Sequence, residues 1–359
     1  MKHFFERYPL EKQVIAAGVS GGADSLALVL RLKDIGRKVV ALSVDHGLRP
    51  TSRQEAEYVA ELMQRFGIEH HILTWEGKKP SADIEAAARE ARYALLCGWC
   101  KEHGVSVLAV GHHRRDQAET FLLRLQRGSG LYGLSCMQPL TYRDGICLIR
   151  PQLDDSPYDL KAYLKAKNIE WVEDESNQSD DFLRVKIRKF LPELERKIGL
   201  SEKRLADTAA VLARSRAYFE DEVKNIIANR VRNLGKSIFS FSAHLPSTLH
   251  NEIAYRLLAE LLQRAGNKPY APEADELLRL AQELKSKNFK GCTLGGCEIM
   301  FAQKRFWIIP ELREAKVLGR DEWEKCLQFV PQYANAELPY KVRRALYFEI
   351  MKVANGKES

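Results

Sequence analysis

A glycine-rich loop between residues 20 and 25 contains the residues of this chain that most directly indicate chemistry. An apolar segment typical of a strand leads into the loop, and an apolar segment typical of a helix follows it. Glycines let backbone N–H groups approach an anion, and a helix N-terminus adds positive partial charge, so the pattern predicts a phosphate site. A carboxylate beside phosphates repels them unless Mg²⁺ lies between, so Asp24 indicates a metal-assisted nucleotide site. The residues expected to contact the nucleotide are Ser20, Gly21, Gly22, Ala23, Asp24 and Ser25.

Two better-known phosphate loops do not match this segment. A Walker loop ends in Gly-Lys-Ser/Thr, whereas this loop ends in Ala23-Asp24-Ser25 and has no lysine. The dinucleotide fingerprint Gly-x-Gly-x-x-Gly does not fit the spacing of Gly18, Gly21 and Gly22. A glycine turn without a ligand is the alternative to the nucleotide site.

Polar clusters also follow the second and fourth predicted strands. Asp45 and His46 come after the second strand, and His112, Asp116 and Glu119 come after the fourth. In a parallel α/β sheet, ligands bind outside the carboxyl ends of the strands, so these side chains are candidate catalytic residues together with Asp24. Oxygen ligands suit Mg²⁺, so we expect Asp24 and Asp116 to hold that ion rather than a histidine set holding zinc.

The net charge of +8 and the sequence pI of about 9.0 favour a polyanionic partner, and several basic residues could contact it. Arg184 and Arg188 lie four residues apart, on one face of a predicted helix, where they could follow a phosphate backbone. A solvated helix face is the alternative interpretation. The candidate nucleic-acid contacts are Arg127, Arg184, Lys186 and Arg188.

Strand-like and helical segments alternate from residue 13 to residue 150, which predicts a doubly wound parallel α/β sheet. The expected strands are 14–19, 39–44, 70–74, 105–110 and 146–150. The expected helices between them are 25–35, 52–66, 82–103 and 116–127, each followed by a glycine. Further helices are expected at 155–167, 182–192, 201–233, 246–265, 273–287 and 340–354, with short strands at 293–300 and 306–309. This division predicts an α/β domain over 1–195, a mostly helical domain over 201–310 and a short C-terminal segment over 311–359.

The overall composition favours a cytoplasmic protein. No segment approaches the roughly 18 apolar residues of a membrane span, and the N-terminus carries charges where an export signal would be apolar. Seven cysteines, an odd number, favour reduced thiols. The sequence leaves the oligomeric state open, a homodimer included.

The loop resembles the Ser-Gly-Gly-x-Asp-Ser signature of the PP-loop ATP pyrophosphatases, and further blocks resemble the tRNA(Ile)-lysidine synthetase family. These blocks are Val44-Asp-His-Gly-Leu-Arg-Pro50, Glu85-Ala-Ala-Ala-Arg-Glu-Ala-Arg-Tyr93, His112-His-Arg-Arg-Asp-Gln-Ala-Glu-Thr120, Leu122-Leu-Arg-Leu-Gln-Arg-Gly-Ser-Gly130 and Asp174-Glu-Ser-Asn177. The resemblance covers about residues 12 to 195, and more weakly 201–310.

The resemblance implies ligation of free L-lysine to the wobble cytidine of an isoleucine tRNA with a CAU anticodon. ATP would adenylate the cytosine oxygen, and the lysine ε-amine would then displace AMP. It implies a catalytic first domain, a tRNA-binding second domain and a C-terminal segment that is a shortened accessory domain. Its implied cofactors are ATP and Mg²⁺. Asp45, His46, His112 and Glu119 would surround the base or the lysine.

Three departures from the family pattern keep alternatives open, one of them a C-terminal part that is shorter than in longer members of the family. Arg115 stands where the family has an acid next to Asp116, and Val185 stands where it has an asparagine. A non-catalytic tRNA-binding relic is therefore one alternative. A PP-loop tRNA thiolation enzyme is another, favoured by the pair Cys97 and Cys100.

Overall fold

The computed structural model describes residues 1–10, 13–47, 52–77, 79, 83–173, 183–286, 288–312 and 317–354. The chain forms two compact units, Met1–Arg216 and Ala217–Ser359. The predicted division into 1–195, 201–310 and 311–359 is finer than this and stays a prediction. Within the described ranges, no helix combines the length and apolar character that crossing a bilayer requires.

The first unit is built on a six-stranded sheet with the order β3-β2-β1-β4-β6-β5. The strands are β1 (Ile15–Gly18), β2 (Val39–Asp45), β3 (Glu69–Thr74), β4 (Val107–Ala109), β5 (Leu140–Arg143) and β6 (Ile146–Ile149). Five of the six are parallel, and β5 is an antiparallel edge strand paired with β6. The predicted parallel α/β sheet is confirmed, while β5 was not predicted.

The first unit has helices on both faces of this sheet and further helices beside it. They are α1 (Lys2–Arg7), α2 (Ala23–Asp34), α3 (Ser52–Arg65), α4 (Ile84–Glu102), α5 (Arg114–Gln126), α6 (Leu131–Leu134), α7 (Pro157–Ala166), α8 (Leu183–Ile198) and the first part of α9 (Glu202–Arg230), which continues past Arg216. Alternate residues of β1 point to opposite faces: Ile15 and Ala17 join a core with α2, α3 and α7, and Ala16 joins a core with α4. The sheet is therefore doubly wound, and a smaller apolar core packs α5 against α8 and the start of α9.

This topology places the predicted site at one edge of the sheet. Strands β2, β1 and β4 are neighbours and run parallel, so the loops that follow them meet at their carboxyl ends. Those loops carry Asp24, His46 and His112. The glycines that follow α2, α3, α4 and α5 all have positive φ, as expected for left-handed helix ends.

The second unit contains a five-stranded antiparallel sheet, ordered β7-β8-β11-β10-β9, with helices on both faces. Its elements are β7 (Val231–Asn233), β8 (Phe239–Ser242), α10 (Leu245–Thr248), α11 (Asn251–Ala265), α12 (Ala274–Glu283), β9 (Cys292–Leu294), β10 (Cys297–Ala302), β11 (Arg305–Pro310), α13 (Arg320–Leu327), a 3₁₀ turn (Pro331–Tyr333) and α14 (Tyr340–Ala354). Along β11, Phe306 and Ile308 pack with α11 and α12, whereas Trp307 and Ile309 pack with α14.

Three predictions for this part of the chain were wrong in detail. The helix expected over 201–233 ends at Arg230, and the next three residues form β7. The helix expected over 246–265 is two helices, because His250 is an extended N-cap whose side chain accepts from Glu252 N at 3.2 Å. Strands β7 and β8 were missed because they are short and contain serine, arginine and asparagine, which favour strands weakly.

Candidate active site

The loop between β1 and α2 is held in shape by its own serines. The Ser25 hydroxyl accepts from Ser20 N at 3.1 Å and donates to Gly22 O at 2.9 Å. Gly21 has a φ of 82°, which favours glycine, and its carbonyl accepts from Val172 N at 3.0 Å. Helix α2 starts at Ala23, so the N–H groups of its first turn, which lack partners within the helix, belong to the same loop. The loop therefore has the geometry of an anion site.

A cavity of about 330 Å³ lies against this loop. Six predicted site residues line it, namely Ser20, Gly22, Asp24, Ser25, His46 and His112. Gly21 and Ala23 belong to the loop and are not among the described lining residues. The same is true of Asp45, Asp116 and Glu119, so the structure divides the predicted set into residues that face the cavity and residues behind it.

Sequence reasoning missed other lining residues, among them Arg89, Arg92 and Tyr93 on α4. Arg92 Nη2 lies 3.5 Å from His46 Nε2. Positive charge on this wall suits phosphates or another anionic group. The signal was present in the Glu85–Tyr93 block, where two arginines three residues apart share one helix face.

His112 lines the cavity as a neutral imidazole. Burial lowers its pKa to about 3, and nearby arginines act in the same direction. Its buried Nδ1 has no hydrogen-bond partner among the described residues. Because an unpaired buried polar atom is costly, this nitrogen is suited to contact a bound ligand.

His113, which was not predicted, links the two carboxylates expected to hold Mg²⁺. Its Nε2 lies 3.3 Å from Asp24 Oδ2, and its Nδ1 lies 3.5 Å from Asp116 Oδ2. Burial opposes protonation of His113, but its hydrogen bond to Asp24 and the charges of Asp116, Asp24 and Glu119 outweigh burial and raise its pKa. Burial likewise opposes ionisation of Asp116, but His113 and His112 keep its pKa below the ordinary value. The ring occupies a position of negative potential between two carboxylates.

The Asp24 carboxylate suits a hard cation such as Mg²⁺. Asp24 is 41% exposed and faces the cavity, so its carboxylate can reach a ligand there. In the described part of the chain, no three His, Cys, Asp or Glu residues are grouped to hold a metal ion by themselves. Mg²⁺ sites in proteins commonly use one or two carboxylates and complete the shell with phosphates and water.

Glu119 lies behind the cavity, fully buried under two arginines of α8. Arg184 Nε donates to its Oε2 at 2.7 Å, and Arg188 Nε donates to its Oε1 at 2.7 Å. Arg184 also approaches Asp116 Oδ1 at 3.5 Å. These two arginines, predicted to contact nucleic acid, are thus paired with the acids of α5 and remain partly exposed. Arg127 and Lys186 are exposed.

Asp45 ends β2 and shapes the turn after it. Its Oδ1 accepts from Gly47 N at 2.9 Å, and its carbonyl accepts from Trp75 N at 2.9 Å. The contact positions the neighbouring His46 at the cavity wall. The predicted blocks at 48–50 and 174–177 lie outside the described residues.

Arg115 points away from the cavity. Its Nε lies 2.5 Å from Glu202 Oε1 at the start of α9, and its guanidinium lies 5.1 Å from the centre of the Tyr158 ring. The hydrogen bond and charge of Glu202 outweigh burial and raise the pKa of Arg115. Arg115 is therefore paired with Glu202 and is not among the described residues that line the cavity.

Cys97 and Cys100 are buried in α4 as protonated thiols. Burial raises the pKa of Cys100 to about 12 and raises that of Cys97 as well. Thiols in such surroundings are poor nucleophiles and poor metal ligands. The feature that favoured a thiolation enzyme is therefore structural.

The fold and the loop define the class of the protein. Residues 1–194 match the PP-loop domain family, and the site at the ends of β1, β2 and β4 is that of a PP-loop ATP-binding protein.

Relatives then define the family. The chain is 36% identical over 312 residues to the tRNA(Ile)-lysidine synthase of Wolbachia pipientis, covering 83% of this chain and 70% of that one. It is 38% identical to the tRNA(Ile)-lysidine synthase of Hyphomonas neptunium over 312 residues, 83% of this chain and 81% of that one. It is 40% identical to that of Bradyrhizobium diazoefficiens over 266 residues, 71% and 73% of the two chains. The chain belongs to the tRNA(Ile)-lysidine synthase family.

Proposed function

We propose that this chain uses ATP to ligate L-lysine to the wobble cytidine of the isoleucine tRNA with a CAU anticodon. The observation that carries the proposal is the PP-loop with Asp24 facing a nucleotide-sized cavity, in a chain of this family. A tRNA substrate implies a cytoplasmic location.

The reaction proceeds in two balanced steps. The cytosine O2 attacks the α-phosphorus of ATP, pyrophosphate leaves, and the base becomes an O-adenylate. The neutral ε-amine of lysine then adds at that ring carbon, and AMP leaves with the oxygen. Oxygen alone is a poor leaving group from the ring, so adenylation supplies the exit that the amine step needs.

The loop residues Ser20–Ser25 would bind the phosphates through backbone N–H groups and the start of α2. Asp24 would contact Mg²⁺ in the cavity, where the ion would neutralise charge that develops on the phosphates. Asp116, the other expected ligand, is not among the described residues that line the cavity and would act through His113. His113 lies between these carboxylates and keeps them in place through its contacts to both. Arg89 and Arg92 add positive charge on the facing wall of the cavity.

His46 and His112 line the cavity and would contact the base or the lysine. His112 is neutral near pH 7 because burial holds its pKa at about 3, so it offers one donor and one acceptor. Asp45 and Glu119, also predicted to surround the substrate, would act through the groups they hold, which are the turn before His46 and the two arginines.

Positive side chains beside the site would bind the phosphate backbone of the tRNA. Arg184 and Arg188 lie on one face of α8 and keep exposed surface although Glu119 pairs with both. The exposed Arg127 and Lys186 would add to this face.

Product analysis tests the proposal. Purified protein is incubated with ATP, Mg²⁺ and the CAU-anticodon isoleucine tRNA, with and without radiolabelled lysine. We expect lysine-dependent formation of AMP and transfer of the label to the tRNA. AMP formed without label transfer would refute lysine as the acceptor, and absence of AMP from folded, tRNA-binding protein would refute the ligase.

Asp24→Asn is the matched control, because it keeps the size of the side chain and removes the charge. It should abolish AMP formation and leave tRNA affinity within about twofold. A fully active variant would refute the metal assignment of Asp24.

A further inference from the structure

A buried glutamine lies directly behind the PP-loop. Gln152 follows β6 in the turn that leads to α7, and none of its surface is exposed. It does not line the nucleotide cavity in the described part of the chain. A fully buried amide must find hydrogen-bond partners, and the positions of those partners indicate its role.

Both ends of the Gln152 amide contact α2. Nε2 donates to the backbone carbonyl of Asp24 at 3.0 Å, and Oε1 accepts from Arg31 Nη1 at 3.2 Å. Arg31 Nη1 also donates to Asp155 Oδ2 at 2.6 Å, in the same turn as Gln152. The segment between β6 and α7 is therefore hydrogen-bonded to the first and third helical turns of α2, which follows the PP-loop.

The same turn holds the start of α5. Arg114 N donates to Asp155 O at 3.0 Å, and Arg114 Nη1 donates to Asp154 O at 3.3 Å. Arg114 is the first residue of α5, which carries Asp116 two positions later. One turn, in which Gln152 is buried and Asp154 is exposed, thus links the helix starts that present the two carboxylates.

The carbonyl of Asp24 is enclosed from another direction by Gly111, which follows β4. A Cβ atom on Gly111 would lie 3.0 Å from Asp24 O and 3.1 Å from Ser25 N. The Asp24 peptide is therefore close to Gly111 and hydrogen-bonded to the Gln152 amide. A shift of that peptide moves the Asp24 carboxylate in the cavity.

We propose that Gln152 is a positioning residue that sets the place of the Asp24 carboxylate in the nucleotide cavity through the Asp24 backbone carbonyl. This role rests on the Mg²⁺ contact proposed above for Asp24. Gln152 touches neither nucleotide nor metal, so its effect reaches the site only through Asp24.

Two substitutions separate the arms of the amide. Gln152→Glu keeps an acceptor for Arg31 and replaces the donor to Asp24 O with a carboxylate oxygen, which the carbonyl repels. Gln152→Met removes both contacts at similar volume. Gln138→Met is the matched control, because the Gln138 amide also donates to a backbone carbonyl, Ser135 O at 2.9 Å, away from the loop.

The readout is ATP binding by calorimetry, with and without Mg²⁺, in the absence of tRNA and lysine. We expect the Mg²⁺-dependent gain in ATP affinity to fall about tenfold in both Gln152 variants, while Mg²⁺-free binding stays within twofold. Gln138→Met should leave the gain unchanged. Adding Gln152→Met to Asp24→Asn should cause no further loss, since the role acts through Asp24.

Three results would overturn the inference. The first is that Gln152→Glu retains the full Mg²⁺-dependent gain in ATP affinity. This variant keeps the Arg31 contact, so it still tests the inference if Gln152→Met does not fold. Another is a further loss on top of Asp24→Asn. The third is ATP binding by the unmodified chain that ignores Mg²⁺, which removes the metal role of Asp24 as well. Failure of lysine transfer alone leaves these binding results intact, so the two proposals fail separately.

Discussion

Replacing Glu119 by glutamine tests whether this buried carboxylate holds α8 against α5. Glu119 is fully buried, whereas the side chains of Arg184 and Arg188 are 41% and 32% exposed. Breaking a fully buried ion pair from one side costs about 3–5 kcal/mol. Because water reaches both guanidinium groups, we expect a loss at the lower end, about 3 kcal/mol, for Glu119→Gln.

Native-state hydrogen exchange of the α5 and α8 amides measures this loss locally. A cost of about 3 kcal/mol corresponds to roughly 100-fold faster exchange through opening of these helices. The matched control is Glu193→Gln, also on α8, where an exposed glutamate pairs with Lys197 at 2.9 Å. Exposed pairs of this spacing contribute about 0.3–0.5 kcal/mol, so exchange should change by less than about threefold.

A third variant isolates charge from packing. Adding Arg184→Gln and Arg188→Gln to Glu119→Gln removes the uncompensated cations and should recover part of the lost stability. Exchange in Glu119→Gln as slow as in Glu193→Gln would refute the account of a buried charge clamp. If the stability losses of the three single substitutions add in the triple variant, packing and not charge explains the effect of Glu119→Gln.

Three further predictions concern other parts of the first unit. Arg115→Asp should lower the free energy of unfolding, measured with urea, by about 1–2 kcal/mol, because Arg115 pairs with the partly buried Glu202. Adding Glu202→Arg should restore the stability, and an Arg115→Asp variant as stable as the unmodified chain would contradict this prediction. Burial, with a contribution from His71, holds the pKa of His70 at about 4, so the unfolded chain gains a proton near pH 6.5 and the folded chain does not. The free energy of unfolding should fall by up to about 3 kcal/mol from pH 6.5 to 4, and His70→Gln should flatten that slope. Gly111→Ala should weaken ATP binding at least about tenfold, since its Cβ would press on the loop backbone at 3.0 Å, whereas Gly98→Ala, with open space around it, should not.

The parallel sheet and the phosphate loop were predictable because their signals are local. Strand, glycine loop and helix follow one another within about fifteen residues, and the hydrophobic pattern of each segment reports its burial. A glycine directly after a helix indicates a left-handed helix end, and all four expected glycines have positive φ. The rule that ligands bind at the carboxyl ends of parallel strands then placed Asp24, His46 and His112 together.

The second unit was harder to predict because its sequence signals are weaker and less local. The β8–β11 pairing joins segments far apart in the chain, and β7 and β8 contain only three and four residues, too few for a reliable strand pattern. The segments 293–300 and 306–309 were predicted as strands, and they contain parts of β9, β10 and β11.

By itself, the sequence determined the class of site, the strand ends at which it lies and the position of the glycine-rich loop. Only the tertiary structure decided what each charged side chain meets: Glu119 pairs with Arg184 across 65 residues, Arg115 with Glu202 across 87, and Gln152 reaches Asp24 across 128. The sequence around a carboxylate such as Asp24 or Glu119 does not show whether its side chain faces a cavity or is buried under arginines. The difference in charge, exposure and role arises from distant elements that pack against it, and no local pattern records that packing.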